Sequence, residues 1–580
     1  MMKESGYRLV LLLVLCACLL EPVVGQQLYP TENNTFLLYN RDGTIPLRSL
    51  DNMDIAVVTP TKTGYFSFIQ MLKKYADVSE FDASSFAEDT KFFNTIIVVG
   101  TNATLNQNLL LEALQVASNG KNIIICTFLD NPNDIRLQTP RFGGRCTELL
   151  STGMGVVEQE DMAMSLFGGV AITKGFPENR TTKTRIRYGN TNLSAWNIGA
   201  MKKQIDAIAM EAIQEKATPG MVVMAVKDGQ VLFHEAYGHH TYDRRRITQP
   251  DDIFDLASIS KIAGTTPVVM HLVETGRINL NKTMGDYLWD AKNTDKAQIP
   301  VRSVLLHEAG FTPFIPFYRQ LKPGDLQFYP SDTHPVKVAD GVYLRNNYYR
   351  DVMWPQMLNS PVKPMGNYVY SDISMYVMKE IAEHVSSTPM EEYVNDFLYK
   401  RIGMKTAGYN PRNRFDKERI VPTQNDTSFR KVLLEGYVHD EGAAMAGGVA
   451  GHAGLFGSAN DLAIYGQMLL NKGFYGGVQY FDASTVGLFT SKQSKTSRRG
   501  LGFDRYDPNS TYGYPSKLAN SSVYGHTGYT GTCIWIDPQN QLIYIFLSNR
   551  VHPQVSNKLS DLNVRSRIQD AIYETINNVK

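Results

Sequence analysis

Ser258-Ile259-Ser260-Lys261, running into the apolar segment Ile262 to Val273 and closing at Gly276, decides how this chain is read. On a helix, residues three apart share a face, so the lysine amine lies beside the serine hydroxyl. A hydroxyl next to an amine that can take its proton is the minimal apparatus for acyl transfer. The spacing alone is not selective, because Ser-x-x-Lys recurs at Ser118, Ser360 and Ser428. Ser118 precedes an Asn-Gly turn, Ser360 precedes a proline, and Ser428 lies in a polar loop; only Ser258 opens a segment fit for a buried helix. Pro267 falls inside that segment, where a kink or an early helix end is expected.

At 580 residues the chain is too long for one ordinary core, and two or three domains are expected. A formal charge of +1 and 43% hydrophobic residues describe a soluble globular protein. There is no basic excess for nucleic acid and no charge block for a membrane surface. Residues 1–25 read as a secretory signal, with Lys3 and Arg8 ahead of an apolar run Leu9–Leu20 and small residues at Val23 and Gly25. The run is shorter than the roughly 20 residues a bilayer span requires. A lipid anchor at Cys18 is the competing reading, since Leu15-Cys16-Ala17-Cys18 loosely matches a bacterial lipoprotein box, although the apolar run continues through Leu19 and Leu20. Past the signal, Cys126, Cys146 and Cys533 are too few for a disulfide framework. Cys126 ends an Ile-Ile-Ile run and reads as a buried, inert thiol; a Cys126–Cys146 bridge stays open.

From about residue 50 to 178, strand and helix signals alternate. Asp54–Thr59, Thr95–Gly100 and Asn122–Phe128 are short apolar runs suited to a parallel sheet, with helical patterns at Ser67–Tyr75 and Leu105–Ala117. This is a small α/β domain, without a glycine-rich phosphate loop after any strand. The polar stretch 181–194 reads as a linker. Ala195–Lys216 has helical periodicity and leads into Met221–Val226 and Val231–Ala236, a hairpin with an Asp228-Gly229 turn. Cys533–Ile536 and Leu542–Leu547 flank a second turn, and a closing helix follows over Lys558–Ile576. The simplest closure places both hairpins in one antiparallel sheet with the terminal helices on a face. Helix-like segments such as Ile373–Val385 and Asn460–Leu470 lie between.

From about residue 195 to the end the chain resembles the serine β-lactamase and penicillin-binding-protein superfamily, in the branch of class C β-lactamases, D-Ala-D-Ala carboxypeptidases and related esterases. Ser258-Ile-Ser-Lys261, Tyr370-Ser371-Asp372 and His526-Thr527-Gly528 carry the match in the family's order, supported by His307–Phe311 and Val449–Ser458. Residues 33–180 resemble the C-terminal α/β sandwich domain of family 3 glycoside hydrolases. Thr35–Leu47 looks like that domain's opening, and Asp161–Gly168 through Phe176-Pro177 like its close. The (β/α) barrel that holds that family's catalytic aspartate is absent, so a scaffold or glycan-binding module is implied, not a glycosidase. The fold expected is thus α/β plus α+β: a small sandwich domain, then at 195–580 an antiparallel sheet flanked by helices with a mostly helical subdomain.

The resemblance implies Ser258 as nucleophile with Lys261 and Tyr370 handling protons. Lys261 serves as base if neighbouring cations and desolvation lower its pKa, and a phenol near two cations is pushed toward phenolate. His526 stands where many relatives carry lysine, a form similar to carboxypeptidases and esterases, and could hydrogen-bond Tyr370 or a substrate carboxylate. Gly528 on an edge strand lets substrate backbone approach. By analogy, the N–H groups of Ser258 and Tyr529 form the oxyanion hole. Asp372 replaces the asparagine usual in β-lactamases, and an ionised carboxylate there would repel a substrate carboxylate and favour an amine or amide donor. That shifts expectation away from penicillin breakdown.

His307 and His452, in glycine-rich turns, read as structural hydrogen-bonding groups. His234-Glu235 with His239 imitates a zinc motif at the wrong step, and His439-Asp440-Glu441 points its side chains apart on an extended chain, so no metal and no cofactor is expected. The leading reading is a secreted serine hydrolase of the bacterial periplasm or cell envelope, acting on an amide or ester such as a D-amino-acid peptide of peptidoglycan. The alternative is a catalytically silent binding protein of the same fold, its amino-terminal domain holding a glycan or partner.

Overall fold

The computed structural model describes residues 34–60, 64–105, 107–131, 145–175, 180–189, 196–510 and 513–578. The signal, Cys18, the Phe176-Pro177 motif and most of the far half of the expected linker lie outside them.

The amino-terminal part is built on β1 (Thr35–Tyr39), β2 (Ile55–Thr59), α1 (Phe66–Tyr75), β3 (Val78–Asp82), β4 (Thr95–Thr101), α2 (Gln107–Ala117), β5 (Asn122–Phe128), β6 (Thr147–Ser151), α3 (Val156–Phe167) and β7 (Lys174–Gly175). The strands order as β3-β2-β4-β5-β6-β1-β7, parallel from β3 to β6, with β1 antiparallel to β6. Every residue of β2 and β4 is buried, as a sheet covered on both faces requires. α1 and α3 cover one face and α2 the other. Cys126 and Cys146 are buried, free thiols, so the open question of a bridge between them is answered.

The rest of the chain is built on α4 (Ile198–Gln214), β8 (Gly220–Lys227), β9 (Gln230–Gly238), α5 (Thr266–Glu274), α6 (Ile373–Ser386), α7 (Ala459–Leu470), β10 (Asp504–Arg505), β11 (Tyr524–Thr527), β12 (Cys533–Asp537), β13 (Leu542–Ser548) and α8 (Val564–Asn577). The antiparallel sheet runs β10-β11-β12-β13-β8-β9, so the two hairpins meet where β13 pairs with β8. Asp228 (φ 52°) and Gly229 (φ 68°) both take left-handed conformations, the geometry of a two-residue hairpin turn whose twist matches the strands. α4 and α8 pack together on one face over Met221, Val223, Tyr544 and Phe546, and α7 lies against the other. The expected closing helix is broken at Asn563 (φ 50°), which separates a short turn at Lys558–Asp561 from α8.

Residues 181–189, expected within a polar linker over 181–194, are packed instead. Arg185 and Arg187 are buried, and the two parts of the chain share one hydrophobic core. Arg185 donates to the carbonyls of Leu47, Arg48 and Phe167 at 2.5, 2.6 and 2.8 Å, while Tyr188 donates to Asn460 Oδ1 at the start of α7 (2.6 Å). Polar composition here reflects Arg185 spent on buried carbonyls and Arg187 on the buried Asp161 carboxylate (3.3 Å) rather than on water.

Pro267 neither ends nor sharply breaks the nucleophile's helix. Lys261–Thr265 widen into a π turn that leads directly into α5, with Pro267 in the first turn of α5, where it offers no N–H to the turn behind it. The carbonyls of Ile262 and Ala263, which a proline at this point leaves without a backbone donor, take the hydroxyls of Tyr465 (2.5 Å) and Tyr399 (2.6 Å). Two buried tyrosines thus allow the turn that carries Lys261 to continue.

Candidate active site

Ser258 sits at the head of that helix, half-buried, with the fully buried Lys261 one turn on. Ala257 before it holds φ 48°, a conformation L-residues avoid, and Asp255 fixes it by accepting the Ala257 N–H at 2.9 Å while its other oxygen takes the His439 N–H at 2.7 Å. Burial pushes the Asp255 carboxyl up to about 6.

Lys261 Nζ donates to Ser258 Oγ (2.9 Å), Asp372 Oδ1 (2.9 Å) and the His452 carbonyl (3.1 Å). Three acceptors use all three N–H bonds of an ammonium. Burial pulls the lysine pKa down, but the Asp372 carboxylate and the Tyr370 phenol outweigh it and the net shift is upward. The expectation of a lowered lysine is therefore corrected, because the neighbour that matters is an anion and not a cation. Asp372 likewise spends one oxygen on Lys261 rather than facing substrate alone, although its side chain is still a quarter exposed.

Tyr370 closes the triangle, its hydroxyl 3.1 Å from Ser258 Oγ. Two cations flank its ring: Lys261 Nζ at 5.1 Å and the Arg499 guanidinium at 5.4 Å from the ring centre. His307, at φ 57°, props this segment, its Nδ1 accepting the Ser371 N–H (3.2 Å) and its carbonyl the Val369 N–H (2.8 Å). The structural role expected of His307 fits these bonds, and His452 likewise pairs with Asp440 (3.0 Å) while its carbonyl anchors Lys261.

His526 is buried on β11, past the point where β10 pairs with Tyr524 and Gly525. Burial first, then Arg499, lowers its pKa to about 3, so the imidazole is neutral. Its Nδ1 bonds the Thr527 carbonyl (2.7 Å), and its Nε2 is buried without a partner among the described residues. Its ring lies 6.1 Å from that of Tyr370, and no hydrogen bond joins them. The second cation is Arg499, which the motifs do not announce. It is 3% exposed and stays cationic, donating to Tyr368 (2.9 Å).

Gly528 has a different reason to be glycine from the one expected. A Cβ there would lie 2.1 Å from Thr532 Oγ1 and 2.6 Å from the Leu256 carbonyl, so the residue is set by close packing of this turn against the nucleophile loop. Thr530 and Thr532 tie the same turn to the carbonyls of Asp255 and Leu256. Thr527 is half-buried beside it, and Tyr529 is exposed. The N–H groups of Ser258 and Tyr529 donate to no protein acceptor among the described residues. Asp372, Asp440 and His452 bring one potential ligand atom each within 4.8 Å of one another, but Lys261 and the His452–Asp440 pair already engage these groups.

The family model described as "Beta-lactamase" matches residues 205–567. The chain belongs to the β-lactamase family. A Salmonella agona relative, provisionally named a D-alanyl-D-alanine carboxypeptidase, is 30% identical over 395 residues, covering 63% of this chain and 84% of that protein. A Salmonella newport relative of the same name matches to the same extent. Among solved structures, EstCE1, titled a hydrolase with promiscuous acyltransferase activity, superposes with a TM-score of 0.50 at 18% identity, over 65% of this chain and 99% of its own. A penicillin-binding-protein homologue from Caulobacter crescentus gives 0.48 at 18% identity, over 65% and 97%. The protein is thus a serine hydrolase of the β-lactamase family, with an additional α/β part ahead of it.

Proposed function

We propose that this β-lactamase-family protein forms an acyl-enzyme on Ser258 and acts as a carboxypeptidase or esterase on D-amino-acid peptides of the cell wall, exported to the bacterial envelope. One observation carries the mechanism: Lys261 Nζ faces three acceptors, Ser258 Oγ, Asp372 Oδ1 and the His452 carbonyl, which occupy it as an ammonium donor. The Tyr370 oxygen is then the remaining base within bonding reach of Ser258 among the described residues. In this reading Ser258 passes its proton to Tyr370 as it attacks. The acceptor is the phenolate form of Tyr370, whose negative charge Lys261 and Arg499 stabilise until the transferred proton neutralises it. The N–H groups of Ser258 and Tyr529 receive the carbonyl oxygen, and Tyr370 returns the proton to the leaving group. Asp372 acts as the anchor that keeps Lys261 charged and in place. His526, being neutral, offers a lone pair to a substrate N–H instead of a charge to a carboxylate. The carboxypeptidase names among the Salmonella relatives support the substrate class, and the amino-terminal domain serves as scaffold.

A fluorophosphonate probe should label the wild type and not Ser258→Ala. D-Ala should be released from a D-Ala-D-Ala peptide and not from its L-Ala-L-Ala counterpart. Equal labelling of the two proteins would refute the acyl-enzyme and leave the silent binding protein.

A further inference from the structure

Next to the catalytic cleft, on the far side of Tyr368, lies a pocket of about 340 Å³ whose lining includes Lys492, Lys495, Arg498, Arg499, Tyr368 and Asp507. Its size is within the range of small-molecule sites. Its charge is unbalanced. Arg498 is satisfied by Asp504 (2.6 and 3.0 Å) and Asp507 (2.9 Å). Lys492 and Lys495 are exposed and pair with no carboxylate among the described residues. Arg499 forms part of the wall, and it adds a buried positive charge there; its Nε and Nη1 are closed off from the pocket, Nε lying 3.7 Å from the Asp504 carboxylate that Arg498 already engages. With two carboxylates, Asp504 and Asp507, set against Arg498, Arg499, Lys492 and Lys495, the wall and rim carry an excess of positive charge.

We propose that this pocket binds an oxyanion of the substrate, a carboxylate or a phosphate carried outside the scissile group, held by Lys492 and Lys495 at its rim with the charge of Arg499 in the wall behind. This deepens the acyl-transfer reading and takes its substrate from it. Arg499 also touches the Tyr370 ring, so an anion seated in the pocket is one side-chain layer from the reacting hydroxyl. The site is separate from the His526–Thr527 edge and would select substrates by a second charge rather than by the bond cleaved.

The test uses the full chain and the charge-reversed variant K492E/K495E, which alters only exposed side chains. Titration with inorganic phosphate, followed by 31P NMR or calorimetry, should show binding to the wild type that weakens at least about tenfold in the variant, a factor equal to about 1.4 kcal/mol. No binding to the wild type, or equal binding by both proteins, overturns the proposal. The second arm compares aryl acetates whose leaving phenol carries a carboxylate, a phosphate or a neutral carboxamide. The wild type should favour an anionic ester in kcat/KM, the favoured group naming the source of the oxyanion. The variant should lose that preference while hydrolysing the carboxamide ester unchanged. A preference that survives charge reversal counts against the pocket. If Ser258→Ala turns over all three esters like the wild type, the acyl-enzyme reading fails, and the phosphate titration still decides the pocket on its own.

Discussion

Asp372→Asn removes the carboxylate that holds Lys261 as an ammonium, and its effect on stability has a definite sign with pH. At the observed 2.9 Å, with an effective dielectric near 20, the lost attraction is about 6 kcal/mol at most. Asp372 is a quarter exposed and asparagine keeps an oxygen for the amine, so a net loss of about 2–4 kcal/mol at pH 7 is expected, near the lower end for broken buried pairs. In the wild type, burial lowers the lysine pKa but Asp372 and Tyr370 raise it further, so the folded chain holds this proton more tightly than the unfolded one. That contribution is fully present below the lysine's unfolded pKa and is lost as pH rises through the folded value. In the variant, burial acts with less opposition and the sign inverts. The unfolded state then binds more protons, and stability rises with pH by up to about 1.4 kcal/mol per unit until the amine is neutral in both states. Urea unfolding of both proteins from pH 6.5 to 9.5 should therefore show their difference narrowing as pH rises. A gap that stays constant or widens would mean that Asp372 does not govern the charge of Lys261.

Tyr370→Phe should lower the acylation rate by about 100- to 10,000-fold with little change in Tm, since it removes a proton acceptor and no packing; activity within threefold of wild type would exclude the phenol as base. His526→Gln should leave the shape of the kcat/KM profile between pH 5 and 8 unchanged, because an imidazole with its pKa lowered to about 3 does not titrate there; loss of a limb in that window would show otherwise. Gly528→Ala drives a methyl into the Leu256 carbonyl, so labelling of Ser258 should slow at least about tenfold while the far-UV spectrum is retained, an outcome stopped-flow labelling can check. Cys126, Cys146 and Cys533 are buried, and burial pushes the last two up to about 12. They should resist a thiol reagent in the native protein and react in urea.

What the sequence reveals about this site is uneven, for physical reasons. The Asp228-Gly229 turn and the wholly apolar strands are local signals, and the sheet follows from them. Ser258, Lys261 and Tyr370 are legible because each belongs to a motif with its own chemistry. Arg499 is not, because its role comes from the fold laying its guanidinium against the Tyr370 ring, and an Arg-Arg pair in a polar loop reads as surface. Asp372 was legible as a departure, yet its partner was not, since a residue's facing charge is a tertiary fact. Pro267 misleads for the same reason: the hydroxyls that replace its missing hydrogen bonds come from Tyr399 and Tyr465, far along the chain.

Arg185 and Tyr188 carry a consequence for the whole molecule. Their polar groups reach the carbonyls of the first part and the head of the helix backing the hydrolase sheet, so hydrogen bonds tie the described residues of the two parts together. The amino-terminal part works as a splint. Cut away, it would leave Tyr475 and Asn460 without their covers and α7 free to shift beneath the very sheet whose rim carries His526. Both parts should lose structure in one cooperative event on heating, and the hydrolase fold of this chain should not be separable from what precedes it.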